Sequence, residues 1–220
     1  MQPAYIFDLD GTLVDTAPDL LSATNAVLHQ AGRPAIEPDG LRAMVGMGAR
    51  ALILKAFAAT GEPLAETDLA PHFERFLTYY RAHIAAQSRP FPGVEATLKT
   101  LRGQARLGVL TNKPQGLADV LLRELGLEHY FHAIHGAGRL DVTKPDPRVF
   151  HHVMEELGEA AAPAIMIGDS ATDVATARAA GVPVILVDYG YTQTPAQELG
   201  ADAVISDFRR VPPLAAALLG

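Results

Sequence analysis

Short runs in this sequence are apolar almost without interruption: Tyr5-Ile6-Phe7, Leu107-Gly108-Val109-Leu110, Ala164-Ile165-Met166-Ile167, Val184-Ile185-Leu186-Val187 and Ala203-Val204-Ile205. A strand with one face in water alternates apolar and polar residues, so an unbroken run belongs to a strand covered on both faces. Between the runs lie helical patterns, at Leu117 to Leu125, Pro147 to Leu157 and Thr172 to Ala180, and Gly126, Gly158 and Gly181 stand where helices are capped at their C-termini. Strand and helix in alternation predict an α/β fold with a Rossmann-like, mainly parallel sheet. Ligands of such sheets bind beyond the carboxyl ends of the strands.

One stretch breaks the alternation. From about Thr16 to Arg89 the apolar residues keep a helical period and no strand is evident: Leu20, Leu21, Ala23, Thr24, Val27 and Leu28, then Leu52, Ile53, Ala56 and Phe57, then Phe73, Phe76, Leu77 and Tyr80. It ends at the turn-rich Arg89-Pro90-Phe91-Pro92-Gly93. The expected organisation is a core of residues 1–15 and 90–220 with a helical subdomain, 16–89, inserted after the first strand.

Composition narrows the function. The chain of 220 residues is 49% hydrophobic and 20% charged, and its formal net charge is -7. That balance, without clustered Lys and Arg, argues against nucleic acid as a partner. No apolar run has the length of a membrane span. The first residues, Met1-Gln2-Pro3-Ala4-Tyr5-Ile6-Phe7-Asp8, carry no basic region of a signal peptide, so a cytoplasmic protein is expected. The absence of cysteine excludes thiol catalysis and thiolate metal sites, leaving metals bound by oxygen or imidazole.

Four segments carry chemistry. In Phe7-Asp8-Leu9-Asp10-Gly11-Thr12 two carboxylates lie two apart just past a buried strand, so both can face one site, where they need a cation or a shared proton; the plain alternative is an Asp-Gly turn. Leu110-Thr111-Asn112-Lys113 sets a hydroxyl and an amide at a strand end, able to donate to a phosphate oxygen or to cap a helix. In Thr143-Lys144-Pro145-Asp146-Pro147 the proline holds Lys144 extended before a helix, as an anion's counter-charge or as a solvated loop residue. In Ile167-Gly168-Asp169-Ser170-Ala171-Thr172-Asp173 two carboxylates four apart can share one helical face and suit magnesium; Asp173 also reads as a first-turn acid. Together they offer a nucleophile, a phosphate donor, a counter-charge and a metal site.

In this order, over nearly the whole chain, the segments resemble the four motifs of the haloacid dehalogenase-like superfamily of phosphatases, and the helical insertion resembles that family's cap. Asp15-Thr16-Ala17-Pro18-Asp19-Leu20, Val45-Gly46-Met47-Gly48 and Phe91-Pro92-Gly93-Val94 look most like its phosphoglycolate phosphatase branch. The resemblance implies that Asp8 attacks phosphorus and forms an aspartyl-phosphate. It implies that Asp10 is general acid and then general base, and that Thr111, Asn112 and Lys144 hold the phosphoryl oxygens. Magnesium would be held by Asp8, the Asp10 backbone carbonyl and Asp169, with Asp173 orienting water on the metal.

The expected partner is a small phosphorylated metabolite, 2-phosphoglycolate first, with sugar, amino-sugar and nucleoside phosphates and pyrophosphate as alternatives. A monomer or homodimer is expected. Arg50, beside the Gly46-Met47-Gly48 loop, is a candidate for a substrate carboxylate or a solvated helix charge. A phosphomutase is the nearest rival, but Thr12 resembles the phosphatase branch. A receiver-like phospho-acceptor has no reason to carry so long an insertion. In a dehalogenase Asp10 would be superfluous. The histidines show no metal-spaced helical pair and receive no role.

Overall fold

The apolar runs form the strands expected of them. The structure, a computed structural model, describes residues 2–160 and 162–220. The chain runs through β1 (Ala4–Phe7), β2 (Val14–Asp15), α1 (Ala17–Gln30), α2 (Pro38–Arg42), α3 (Ala49–Ala59), α4 (Leu69–Ala82), β3 (Arg89–Pro90) and α5 (Val94–Leu101). It continues through β4 (Arg106–Pro114), α6 (Gln115–Glu124), β5 (Ala133–Ala137), α7 (Pro147–Glu156), β6 (Ala164–Gly168), α8 (Ala171–Ala180), β7 (Val184–Val187), β8 (Ala203–Ile205) and α9 (Val211–Leu219). Six strands pair in the order β5-β4-β1-β6-β7-β8, all parallel.

Both faces of this sheet are covered, which is why its strands read as continuous apolar runs. Tyr5, Phe7, Ile165, Ile167, Ile185 and Val187 pack on one side with Leu98, Leu121, Phe131 and Phe208. Ala4, Ile6, Met166, Val184 and Leu186 pack on the other with Val149, Phe150, Val153 and Val174. Successive residues of each strand thus enter opposite cores. Gly126, Gly158 and Gly181 follow α6, α7 and α8 in the left-handed region, as their positions predict.

Strand β5 has no counterpart in the expectation. Its sequence, Ala-Ile-His-Gly-Ala, mixes a histidine and a glycine, and it pairs only with β4, at the sheet edge. Strand β4 runs on through Pro114, so Thr111, Asn112 and Lys113 belong to the strand itself.

Helices α1 to α4 pack on one another through the expected residues: Leu20, Ala23, Val27 and Leu28 from α1, Leu52, Ile53 and Phe57 from α3, and Phe76 and Tyr80 from α4. The two chain crossings between this helical segment and the sheet pair as a short antiparallel ribbon, Val14 opposite Pro90 and Asp15 opposite Arg89. Buried Asp19 on α1 ties the return crossing down, accepting from Gln87 N at 3.0 Å, Ser88 N at 2.8 Å and Ser88 Oγ at 2.7 Å. Asp19→Ala leaves those amides unpaired, and a loss of about 1–3 kcal/mol of stability is expected in denaturant titration. An unchanged midpoint would mean that the crossing is held by the β2–β3 ribbon alone. Among the described residues no helix is long and apolar enough to cross a membrane.

Candidate active site

The chain leaves β1 in a tight turn. The Leu13 and Val14 amides donate to the Leu9 carbonyl at 3.0 and 3.1 Å, and Gly11 N–H donates to Val14 O at 3.0 Å. Gly11 has φ +88°, and a Cβ there would stand 2.5 Å from Asp169 Oδ2, so glycine is required twice over. This turn sets Asp8 and Asp10 above the carboxyl end of β1, which lies between β4 and β6. Thr111 comes from β4, Lys144 from the loop after β5, and Asp169 from the end of β6. The four segments singled out in the sequence therefore leave four adjacent strands.

Lys144 lies at the centre. Its Nζ is 2.8 Å from Asp8 Oδ1 and donates to Asp173 Oδ1 at 2.7 Å. The other oxygen of Asp173 accepts from Asp169 N at 3.2 Å, Ser170 N at 3.1 Å and Ser170 Oγ at 2.7 Å. Ser170 is the N-cap of α8 and Asp173 its third residue, and the two cap each other reciprocally. Asp169 and Asp173 therefore do not share a helical face as the spacing suggested. Asp169 precedes the helix, and Asp173 folds back over the helix start. Asp169 Oδ2 accepts the Tyr191 amide at 2.7 Å, under a close backbone approach at Gly190, where a Cβ would meet the Asp169 side chain.

One ammonium thus contacts two buried carboxylates, with a third, Asp169, close by. Burial pushes the Asp8 carboxyl up to about 7; Lys144 pulls it down, and Asp173 and Asp10 push it further up. Burial, with Asp173 and Asp8 adding, also lifts Asp169 well above the carboxylate range. Burial opposes the charge on Lys144, but Asp173 and Asp8 together raise its pKa. The close Asp8–Lys144 pair and the raised Asp8 pKa are reconciled by burial first, with the neighbouring negative charges of Asp173 and Asp10 adding to it. One ligand atom each from Asp8, Asp169 and Asp173 lies within 4.8 Å of the others. An all-oxygen donor set carrying uncompensated negative charge suits a hard divalent cation.

Asp10 stands apart from that cluster. Its Oδ1 accepts from Lys113 Nζ at 2.9 Å and from Thr16 Oγ1 at 2.7 Å, which leaves Oδ2 without a protein partner among the described residues. Buried Lys113 also donates to Tyr80 OH at 2.7 Å, with its ammonium 4.6 Å from the centre of that ring. Asp10 is thereby connected to α4 of the helical segment. Sequence reasoning missed Lys113 and Tyr80. The i, i+2 rule that pairs Asp8 with Asp10 also pairs Thr111 with Lys113, but nothing local points to Tyr80. It missed Tyr191 as well, whose hydroxyl accepts from Thr16 N at 2.7 Å and Ala17 N at 3.0 Å and donates to Asp15 Oδ1 at 2.6 Å. That residue joins Asp169 to the crossing into α1.

Thr111 Oγ1 accepts from Lys113 N at 3.1 Å, so its proton remains available to a ligand. The Asn112 amide is occupied: Oδ1 accepts from Lys144 N at 3.0 Å, and Nδ2 donates to Lys144 O at 3.2 Å and Gly46 O at 3.3 Å. Its observed work is to hold the Lys144 main chain. Arg50 is not brought to the site. It is exposed, paired with Glu66 at 2.7 Å and stacked over Phe73, while its neighbours Gly48, Ala49 and Leu52 line the cleft. The helix turns position 50 away from the positions that face inward. The cleft runs from Asp8, Asp10 and Thr111 to Val45, Leu52 and Phe76.

Comparison with known proteins places the chain in a family. The family described as haloacid dehalogenase-like hydrolase matches residues 5–187. The chain is 46% identical to a phosphoglycolate phosphatase of Caulobacter vibrioides, over 97% of this chain and 90% of that protein. It is 45% identical to a phosphoglycolate phosphatase of Agrobacterium fabrum, over 97% and 92% respectively. The crystal structure of a predicted phosphoglycolate phosphatase from Haemophilus somnus superposes with a TM-score of 0.89 at 29% identity, covering 96% of both chains. With two carboxylates at the end of the central strand, a lysine on the first of them and a matching sequence along most of its length, the chain belongs to the haloacid dehalogenase-like hydrolases.

Proposed function

We propose that the protein is a magnesium-dependent phosphatase that hydrolyses 2-phosphoglycolate through a phosphorylated Asp8. The observation that carries this reading is the pairing of Asp8 with Lys144 at 2.8 Å, with the Asp10 carboxylate held separately nearby. Asp8 attacks phosphorus, and the bond to the glycolate oxygen breaks. Asp10 gives that oxygen a proton. It then takes a proton from the water that attacks the aspartyl-phosphate, which restores the Asp8 carboxylate and releases phosphate. The Thr111 hydroxyl and the Lys144 ammonium hold phosphoryl oxygens, and Asn112 keeps Lys144 in place. Asp8, the Asp10 carbonyl and Asp169 would hold magnesium, which would supply positive charge to offset repulsion between carboxylate and phosphate.

Residues 16–89 act as a cap in this reading. The chain Tyr80–Lys113–Asp10 supports it, since a cap helix reaches the acid through one lysine. Such contacts couple closure over the substrate to assembly of the site. Asp10→Asn is expected to slow hydrolysis of an alkyl phosphate far more than that of nitrophenyl phosphate, whose leaving group needs little protonation. Equal losses on both substrates would remove Asp10 from proton transfer.

The substrate assignment rests on the relatives named phosphoglycolate phosphatase and on the small cleft narrowed by Gly46, Leu52 and Phe76. Its test is phosphate release, with magnesium and after chelation, from phosphoglycolate, sugar and amino-sugar phosphates, nucleoside monophosphates and pyrophosphate. Phosphoglycolate should give the highest kcat/KM, and chelation should abolish turnover. Another ester better by about tenfold, ~1.4 kcal/mol of transition-state binding, would replace the substrate and leave the phosphatase assignment standing.

A further inference from the structure

A second cluster of metal-ligating side chains lies away from the cleft, at the sheet edge. His135 on β5 faces His152 and Glu156, one turn apart on α7, and one ligand atom from each lies within 4.8 Å of the others. His135 Nδ1 is 3.9 Å from Glu156 Oε2, and His152 Nε2 is 3.6 Å from Glu156 Oε1. Ligand atoms about 2.0–2.2 Å from one zinc ion stand no more than about 4.4 Å apart, and both separations, one to each oxygen of Glu156, lie inside that span.

The second observation concerns partners. His135 is 2% exposed, and its Nδ1 and the Glu156 Oε2 it faces make no hydrogen bond among the described residues. A buried imidazole nitrogen and a buried carboxylate oxygen left unpaired against each other are costly unless something sits between them. His152 is one-third exposed, which leaves a way in from solvent.

We propose that His135, His152 and Glu156 form a binding site for a zinc-class divalent transition metal, separate from the catalytic centre. The chemistry of the two sites keeps them distinct. Imidazole ligands favour zinc and its neighbours, while the all-oxygen set at Asp8 and Asp169 favours magnesium. Two histidines and one carboxylate leave one tetrahedral position to water. The present partner of Glu156 is Arg139, which also donates to Ile134 O at 3.1 Å and is exposed enough to swing away. An ion here would fasten β5 to α7. The loop joining those elements carries Lys144, so the site braces the segment that supplies the lysine of the catalytic cluster.

The test is zinc titration of the whole protein under saturating magnesium, read by calorimetry and by the visible spectrum of the cobalt(II) form. One ion per chain is expected, with a rise in Tm. His135→Ala endangers the fold because that side chain is buried, so His152→Ala and Glu156→Gln are the working variants. Each should weaken zinc binding by about a hundredfold or more, given that loss of a group merely supporting a ligand costs about 10–100-fold. The Tm rise should disappear with it. Arg139→Ala removes the competing cation and should tighten binding. Absence of zinc binding under saturating magnesium, wild-type affinity in His152→Ala, or weaker binding in Arg139→Ala would overturn the proposal.

Discussion

Asp8→Asn is expected to abolish turnover and to leave the fold intact. The amide has the volume of the carboxylate, and Asp8 N still donates to Ile167 O at 2.8 Å in continuation of the ladder between β1 and β6. Its side chain also removes one of three buried negative charges clustered near Lys144, so stability in magnesium-free buffer should hold or rise. No neighbouring group can replace the nucleophile: Asp173 is bound on both oxygens, and Asp169 is fixed by the Tyr191 amide. The rate should fall at least about a thousandfold, ~4 kcal/mol in the barrier. Steady-state phosphate release gives the first quantity and a denaturant midpoint the second. A variant that keeps more than that residual rate would exclude nucleophilic catalysis by Asp8.

Lys144→Met is expected to damage both activity and stability. The side chain is fully buried between Asp8 and Asp173, and methionine fills its space without its charge. Removing one partner from a buried ionic cluster costs about 3–5 kcal/mol, because the remaining charges lose their compensation. Protonation of Asp8, whose pKa already stands at about 7, relieves part of this, so the lower end of that range is expected at mildly acidic pH. The sign follows from the shift. A carboxyl with a raised pKa destabilises the fold as it ionises, and the variant should recover stability as pH falls. Adding Asp173→Asn should restore stability without restoring phosphate release. If the single variant melts like the wild type in magnesium-free buffer, Lys144 is not the counter-charge of this cluster.

The parts of the site legible in the sequence were those fixed by local geometry. Asp8 and Asp10 follow from a buried strand with an i, i+2 pair at its end. Asp169 and Asp173 follow from a strand opening directly into a helix, although their meeting comes from a reciprocal cap and not from a common helical face. Helices α1, α3 and α4 were legible because their buried positions keep a 3.6-residue period. Strand β5 was not, since His135 and Gly136 interrupt its apolar run although both are buried.

What the sequence left hidden depends on tertiary packing. Lys113 and Asp10 are 103 residues apart, and Tyr191 and Thr16 are 175 apart. Asn112 reads as a phosphate donor beside Thr111 because a hydroxyl and an amide stand together at one strand end, and both line the cleft. Its amide went to the Lys144 main chain. Arg50 looked like a substrate ligand because it is the cation beside a glycine loop, but helix phase decides direction, and Glu66 took the charge. His135, His152 and Glu156 come from two elements that only the sheet edge brings together.

The central claim, that phosphate passes through Asp8, is tested most directly by rapid quench of the enzyme with phosphoglycolate labelled in its phosphate. Transient label on the protein is expected, labile to hydroxylamine as an acyl phosphate is, located by peptide mapping at Asp8 and absent from Asp8→Asn. Full-rate phosphate release with no labelled protein, or label on any other residue, would contradict it.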